Sequence, residues 1–227
     1  MDNLHPFLTL VCSHCGRPLK VRLSCGDRTC PTCRAKWFGY HFKPILEVVS
    51  NWKSVYFMTL TLRNIPEIGR SDVKGLRENF GKLRKRFKTI AGGFYVVQVT
   101  NNGKGWHLHL HVLFDGSFIA QKALSKAWAE ITGGSYIVGI EEVRDRREAV
   151  RYLLKDFLQS PKIRPEDRES FNGVFRGSRL VQPFGDYRNT KFRVPYKCPD
   201  CGRTEWVDLE LLLGNKRSHL RHYDEDS

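Results

Sequence analysis

Three histidines at alternate positions, His107, His109 and His111, are the residues of this chain whose spacing most directly indicates chemistry. They lie in the stretch 106–114, where polar and apolar residues alternate with a period of two. A β-strand with this pattern directs the three imidazoles to one face and the intervening apolar side chains to the other. Neutral imidazoles two residues apart on a strand can bind one divalent ion. The pattern therefore predicts a metal site on one face; the alternative is a polar strand surface without chemistry.

The chain has seven cysteines, an odd number, and most of them lie in Cys-x-x-Cys pairs. Such pairs are typical of structural zinc and favour a reducing compartment over disulfides. Cys15-Gly16-Arg17 and Cys201-Gly202-Arg203 are closely similar, so the two pairs that contain them are expected to share one tetrahedral ion. The predicted ligands of this first zinc are Cys12, Cys15, Cys198 and Cys201.

The remaining cysteines, Cys25, Cys30 and Cys33, need a fourth ligand to form a second zinc site. His41 is the nearest downstream candidate, and His14 or His5 are weaker ones. A sequential arrangement, with the first zinc on Cys12, Cys15, Cys30 and Cys33, is the second choice because it leaves the C-terminal pair without partners.

The charge of the chain indicates a partner rich in phosphate. Thirty-eight Lys and Arg against twenty-four Asp and Glu give a net charge of +14, which favours nucleic acid as the partner. A membrane is not expected, because no apolar run approaches the roughly 18 residues that a spanning helix needs. The apolar stretch at 7–11 is too short for a signal peptide. A cytoplasmic protein is predicted.

Periodicity and turn signals predict an α+β fold: a central antiparallel sheet with helices packed on the face opposite the histidines, and a small zinc-ribbon-like extension from both termini. The four predicted segments are a zinc-binding segment at 1–50, a central domain at 51–160, a basic loop region at 161–195 and a C-terminal knuckle and tail at 196–227. The predicted strands are 54–62, 94–100, 106–114 and 136–143. The predicted helices start at the Ser71-Asp72 cap and run to about 90, and then cover 120–131 and 146–158.

Several other residues are candidates for the site. A turn at 101–105 joins two predicted strands as a hairpin, which should bring Gln98 close to the histidines. Tyr152 and Lys155 are three residues apart, hence on one side of the last predicted helix. The loop region interleaves arginines with Phe171 and Phe175, a composition typical of a single-strand groove or of a solvated linker. The candidate DNA-binding cations are Arg84, Lys85, Arg151 and Arg176.

Three segments in order, Tyr-Phe-Met-Thr-Leu-Thr-Leu at 56–62, His-Leu-His-Val-Leu at 109–113 and Tyr-Leu-Leu-Lys at 152–155, resemble the motifs of the HUH endonucleases. This superfamily includes the rolling-circle replication initiators of plasmids and single-stranded DNA phages and viruses. The resemblance covers about residues 54–158. The cysteine segment from Ser24 to Trp37 is similar to one that precedes the catalytic domain in many plasmid and phage initiators.

The resemblance implies that His109 and His111 hold Mg²⁺ or Mn²⁺ and that Tyr152 is the nucleophile, assisted by Lys155. The third ligand would come from the adjacent strand, where many relatives have Glu and this chain has Gln98. The expected reaction is origin-specific nicking and joining of single-stranded DNA in a bacterial or archaeal host. It proceeds through a 5′-phosphotyrosine intermediate, here on a single tyrosine.

Two alternatives remain open at this level. A single-strand DNA transposase would share every motif and differ only in the DNA that it recognises. A zinc-ribbon nucleic-acid-binding regulator would use the histidines for a third structural site and would have no catalysis. No Gly-rich loop with Lys that cradles phosphates is present, so a host helicase is the expected source of unwinding. The origin sequence and the oligomeric state are not indicated.

Overall fold

The computed structural model describes residues 5–158, 162–179, 181–192 and 196–214. The chain forms two compact units, one made of residues 1–27 and 193–227 and the other of residues 28–192. This division differs from the four predicted segments, because the first helix and the basic loop region both belong to the larger unit. No helix among the described residues is long and apolar enough to cross a membrane.

The larger unit contains a five-stranded antiparallel sheet with the order β6-β3-β5-β4-β7. The histidine strand is β5, at the centre. The strands are β3 (Val55–Thr61), β4 (Ile90–Thr100), β5 (His107–Gly116), β6 (Val138–Glu142) and β7 (Gln182–Gly185). The helices are α1 (Pro31–Ser50), α2 (Arg70–Arg86), α3 (Gln121–Thr132), α4 (Arg146–Leu153), α5 (Lys155–Leu158) and α6 (Arg168–Phe175). An α+β fold with antiparallel sheets, as predicted, is therefore confirmed.

Helices cover both faces of the sheet, so the prediction of helices on one face only is wrong. The apolar residues between the histidines pack with α2 and α3 through buried side chains such as Leu76 and Trp128. On the histidine face, Phe57, Phe94 and Leu113 form a second core with residues of α1 and α4. The strands are apolar on both faces over this part of their length, and only the end that bears the histidines stays polar.

The double glycine Gly92-Gly93 lies inside β4 and does not end a helix. The helix α2 stops at Arg86, and Ile90 already belongs to the strand. A Cβ atom on Gly93 would lie 2.1 Å from the carbonyl oxygen of Leu113, so the close approach of the paired strands β4 and β5 requires glycine here. Glycines that allow a close backbone contact thus resemble helix stop signals in the sequence.

Two helices lie outside the predicted set. Helix α1 begins with Pro31, at the first helical position, directly after Cys30. Helix α6 occupies part of the segment 160–182, for which the composition predicts a loop, and it buries Phe171 and Phe175 to 7% and 6% exposure. These two rings are therefore core residues and do not offer a stacking surface to a nucleic acid, contrary to the groove interpretation.

The smaller unit contains a three-stranded antiparallel sheet with the order β2-β1-β8, and a short helix. Its elements are β1 (Phe7–Cys12), β2 (Pro18–Arg22), β8 (Trp206–Asp208) and α7 (Leu209–Leu212). Cys12 and Trp206 are register partners, so the strand pairing places the N-terminal cysteine pair beside the C-terminal one.

Candidate metal and nucleophile site

The neighbouring strand β3 fixes the orientation of two histidines of β5. Thr61 is the register partner of His109 and Thr59 that of His111. The threonine hydroxyls are hydrogen-bonded to the Nδ1 atoms of these rings, at 3.0 Å for His109 and 3.1 Å for His111. A hydrogen bond at Nδ1 orients the ring and leaves Nε2 as the atom directed away from the strand pair.

The strand β4 supplies Gln98, and the turn predicted at 101–105 does bring it to the histidines. Its carbonyl Oε1 lies 2.7 Å from Nε2 of His111. Its amide Nε2 donates a 2.6 Å hydrogen bond to Oδ1 of Asp156, on α5. Asp156 is a site residue that sequence analysis missed, because no local pattern links it to a strand residue 58 positions away.

Burial keeps these histidines uncharged near neutral pH. Burial lowers the pKa of His109 to about 4, and the positive charges of His107 and Lys155 act in the same direction. Burial likewise lowers the pKa of His111 to about 3, assisted by Lys155 and His109. Metal binding requires neutral imidazole, so both rings are in the form that can bind a cation.

Tyr152 lies beside this cluster and is half exposed, at 49%. Its ring packs roughly perpendicular to the rings of two site residues, with centroid distances of 5.7 Å to His111 and 5.1 Å to Phe57. The predicted helix is interrupted at Leu154, yet the Lys155 ammonium remains 4.1 Å from the centre of the Tyr152 ring. A nucleophile candidate, a cation and two histidines thus share one face of the sheet.

The donor set at these histidines fits a divalent ion only when the amide is included. Two imidazole nitrogens and the Gln98 carbonyl are ligands that Mn²⁺ or Mg²⁺ accepts. The strand histidines do not themselves belong to any group of three or more His, Cys, Asp or Glu ligand atoms that gather within 4.8 Å in the described ranges. The third ligand would therefore be Gln98, whose carbonyl already faces His111.

The four cysteines of the smaller unit gather into one cluster, in the pairing predicted from the repeated motif. Cys12 Sγ lies 3.6 Å from Cys201 Sγ, and Cys15 Sγ lies 3.5 Å from Cys198 Sγ. A zinc tetrahedron with Zn–S bonds of about 2.3 Å has edges of about 3.8 Å between sulfurs. The cluster can therefore hold a structural metal such as zinc, and the sequential pairing of these cysteines is not what the fold brings together.

Both cysteine pairs have the same backbone geometry. In the first pair, the backbone amide of Cys12 donates to the carbonyl of Arg17, and the amide of Gly16 donates to the carbonyl of Cys12. In the second pair, the amide of Cys198 donates to the carbonyl of Arg203, and the amide of Gly202 donates to the carbonyl of Cys198. The backbone amides of Cys15 and His14 donate to the Cys12 thiol and lower its pKa to about 6. Amides directed at a thiolate are what a metal-binding knuckle requires.

Among the described residues, His41, the predicted fourth ligand of the second zinc, belongs to no group of side chains that could hold a metal, so that prediction is wrong. Nδ1 of His41 is hydrogen-bonded to the Trp37 carbonyl, and its ring packs 4.9 Å from that of Phe192. The His41 side chain therefore points along its own helix, with the carbonyl four residues earlier as its hydrogen-bond partner and an aromatic ring packed beside it.

The candidate DNA-binding cations do not lie together. Helix α2 packs on the sheet face opposite the histidines, so Arg84 and Lys85 lie away from the candidate site. The guanidinium carbon of Arg84 also lies over the Phe184 ring, 4.5 Å from its centre. Arg151, next to Tyr152, is exposed and lies 3.6 Å from Glu148. Arg176 is exposed at the end of α6.

Neither protein-family models nor curated proteins match this chain. Among solved structures, a likeness was found to the crystal structure of the hypothetical protein ORF119 from Sulfolobus islandicus rod-shaped virus 1. The TM-score is 0.31 at 16% identity, over 50% of this chain and 90% of that one. A likeness of this size carries no argument about function, so the site's own geometry has to support any proposal.

Proposed function

We propose that the chain is a metal-dependent HUH-type endonuclease that nicks and rejoins single-stranded DNA through a tyrosine-linked intermediate, as a rolling-circle replication initiator does. The observation that carries the proposal is the position of Tyr152, whose ring centre lies 5.7 Å from that of His111, beside a lysine. Sequence motifs and geometry agree here, because the three segments that resemble the superfamily meet at one end of one sheet face.

Each residue has a separate role in the proposed reaction. His109, His111 and Gln98 would hold Mg²⁺ or Mn²⁺, and the bound ion supplies positive charge that polarises the scissile phosphate. Phe57 and His111 contact the Tyr152 ring and hold it against the site. A tyrosine positioned in line with the phosphorus needs little reorganisation to attack, which is a large part of the rate enhancement available to such an enzyme.

The proposed step exchanges one phosphodiester bond for another. The phenolic oxygen of Tyr152 loses its proton and forms a bond to phosphorus, while the bond from phosphorus to the 3′ oxygen breaks and that oxygen gains a proton. The products are a 5′-phosphotyrosine and a free 3′-OH. Because the bond energy is retained, a 3′-OH can reverse the step. The Lys155 ammonium lies 4.1 Å from the ring centre, where its charge can stabilise negative charge that develops in the transition state.

The smaller unit would add a zinc-stabilised surface to this enzyme. Its four cysteines fit zinc, and a structural zinc contributes folding free energy to a unit with a small core. The net charge of +14 supports a phosphate-rich partner for the chain as a whole. The proposed partner is a single-stranded DNA origin, with a host helicase supplying the unwinding.

The test is a library of fluorescent single-stranded oligonucleotides incubated with the zinc-loaded chain and Mn²⁺. The expected result is a protein–DNA adduct that survives a denaturing gel and is cleaved by protease but not by heat. Retention of DNA without an adduct, at all Mn²⁺ concentrations, would identify a non-catalytic binding protein and refute the proposal. An adduct with transposon-end hairpins but with no replication origin would identify the transposase.

A further inference from the structure

A small cavity in the larger unit, separate from the histidines, gathers three arginines. Arg28, Arg77 and Arg179 line it together with Asp156. Its volume is about 50 Å³, whereas one water needs roughly 10–15 Å³. The cavity can therefore hold a ligand larger than a single water. The other lining residues are apolar side chains, among them Trp37.

The arginines are held in this cavity in different ways. A guanidinium nitrogen of Arg28 donates to the carbonyls of Phe175 and Ser178, and the group lies over the Trp37 ring, 5.7 Å from its centre. Burial, together with the neighbouring charge of Arg77, lowers the pKa of Arg28 to about 10. Like charges are thus held close together away from water.

The side chain of Arg77 has a hydrogen-bond donor without a partner in the described part of the chain. Its Nε atom is buried and has no hydrogen-bond partner among the described residues. A buried donor without a partner destabilises the fold, and such groups usually have an ion or a water as partner. Arg28 and Arg77 bring two positive charges to a cavity whose one carboxylate, Asp156, already accepts from Gln98 at Oδ1. The charge balance of the cavity therefore favours an anion.

We infer that this cavity binds a phosphate group, with Arg77 and Arg28 as its main donors. Arginine is suited to this ligand because its planar group donates two parallel hydrogen bonds to a phosphate. Asp156 lines the cavity and also holds Gln98 against His111, so the cavity adjoins the candidate site. If the proposed function holds, the ligand is a non-scissile phosphate of the bound strand; otherwise it is free phosphate.

The first experiment measures phosphate binding without DNA. The melting temperature of the zinc-loaded full chain is compared in sodium phosphate and in sodium chloride at equal ionic strength, with no Mg²⁺ or Mn²⁺. A rise of roughly 3–5 °C is expected at ten times the dissociation constant. Arg77→Met should abolish the rise. Lys82→Met, an equal change of charge at an exposed position on the same helix, should keep it.

The second experiment identifies the source of the phosphate. Oligonucleotides with a single neutral methylphosphonate linkage, moved along the strand, are titrated against the parent chain and Arg77→Met. At one position other than the scissile linkage, the methylphosphonate should lower the affinity of the parent chain for the oligonucleotide by about tenfold. The same substitution should lower the affinity of Arg77→Met much less. Protection by inorganic phosphate with no sensitive linkage would identify free phosphate as the ligand.

Two results together would overturn the inference. In the first experiment, phosphate protects neither form more than chloride does, or it protects Arg77→Met as well as the parent. In the second experiment, no linkage depends on Arg77. These outcomes are independent of the proposed function. A chain that forms no DNA adduct can still show phosphate protection, and a nicking enzyme can lack it.

Discussion

Gln98 and Asp156 are joined by a 2.6 Å hydrogen bond from the side-chain amide to the carboxylate. This bond fixes which way the amide points, and so directs the carbonyl of Gln98 at His111. An ionised Glu at this position could not donate to Asp156. The neutral residue of this chain is therefore matched to the acidic residue behind it.

The first prediction follows from that pair. Gln98→Glu removes the donor and places two carboxylates side by side, so one of them should hold a proton near neutral pH. Mn²⁺ affinity should then rise little, because binding must displace that proton. Asp156→Asn, added to this change, restores a donor behind the new carboxylate. The double variant Gln98→Glu/Asp156→Asn should therefore bind Mn²⁺ roughly tenfold or more tightly than the parent, since a charged oxygen replaces a neutral one.

Calorimetric titration of the parent, the two single variants and the double variant measures the coupling between these positions. Strictly additive effects would show that the hydrogen bond does not set the geometry of Gln98.

The second prediction concerns the nucleophile. Tyr152→Phe keeps the ring that contacts Phe57 and His111 and removes only the hydroxyl, so adduct formation should fall by roughly 10³-fold or more. Oligonucleotide affinity should stay within a few-fold of the parent. Gel quantification of adduct and fluorescence anisotropy measure the two quantities. Adduct that persists in this variant would point to another tyrosine, with exposed Tyr136 the next candidate.

The site shows how far the sequence could be interpreted. Period-two alternation predicts the histidine strand, because side chains of a strand necessarily alternate between two faces. Repetition of Cys-Gly-Arg predicts which cysteines meet, because both knuckles need the same tight turn. Asp156 could not be predicted in this way, since its contact with Gln98 is set by the packing of a short helix against a sheet.

Other parts of the fold were ambiguous for a similar reason. Gly92-Gly93 has the composition of a helix stop, but Gly93 allows a close backbone contact with Leu113 on the paired strand, which only the tertiary structure reveals. His41 is the nearest downstream histidine along the sequence, yet a helix directs it to the Trp37 carbonyl. Distance along the chain was a poor guide to the fourth ligand, because the spacing of the three cysteines at 25–33 does not specify it.

The third prediction tests the first zinc cluster. Cys198→Ser removes one of four thiolates, so the chain should lose about one zinc and its N-terminal segment should become sensitive to protease. Metal analysis and limited trypsin digestion are the measurements. Ser13→Ala, beside Cys12, is the matched comparison, because it removes no predicted metal ligand and should keep the full zinc content. Full zinc content in Cys198→Ser would contradict the cross-terminal cluster.

The fourth prediction is a pH dependence of stability. Burial raises the pKa of Tyr187 to about 12, and the hydrogen bond from its hydroxyl to Asp115 acts in the same direction. A group whose pKa is higher in the folded than in the unfolded state, about 10 for Tyr, favours folding below pH 10 and loses that contribution between pH 10 and 12. Parent and Tyr187→Phe should therefore converge in melting temperature as the pH rises from about 10 to about 12. A difference that stays constant over this range would contradict the assignment.

The last prediction separates the three strand histidines. His109→Ala and His111→Ala should each reduce adduct formation by at least about 100-fold, since losing even an outer partner of a ligand costs roughly 10–100-fold. His107→Ala should cost less, because His107 has no threonine partner like those of the other two among the hydrogen bonds that the structure shows.

Two controls make this comparison specific. Raising Mn²⁺ should partly restore His109→Ala and His111→Ala, because the remaining ligands bind the ion weakly. Binding of single-stranded DNA should change little in all three variants and should fall steeply with salt in each, because Lys and Arg contacts to phosphate supply most of the affinity. If His109→Ala forms adduct as fast as the parent at low Mn²⁺, the ion is not held at these histidines. The face of β5 that bears them would then be a polar surface without chemistry.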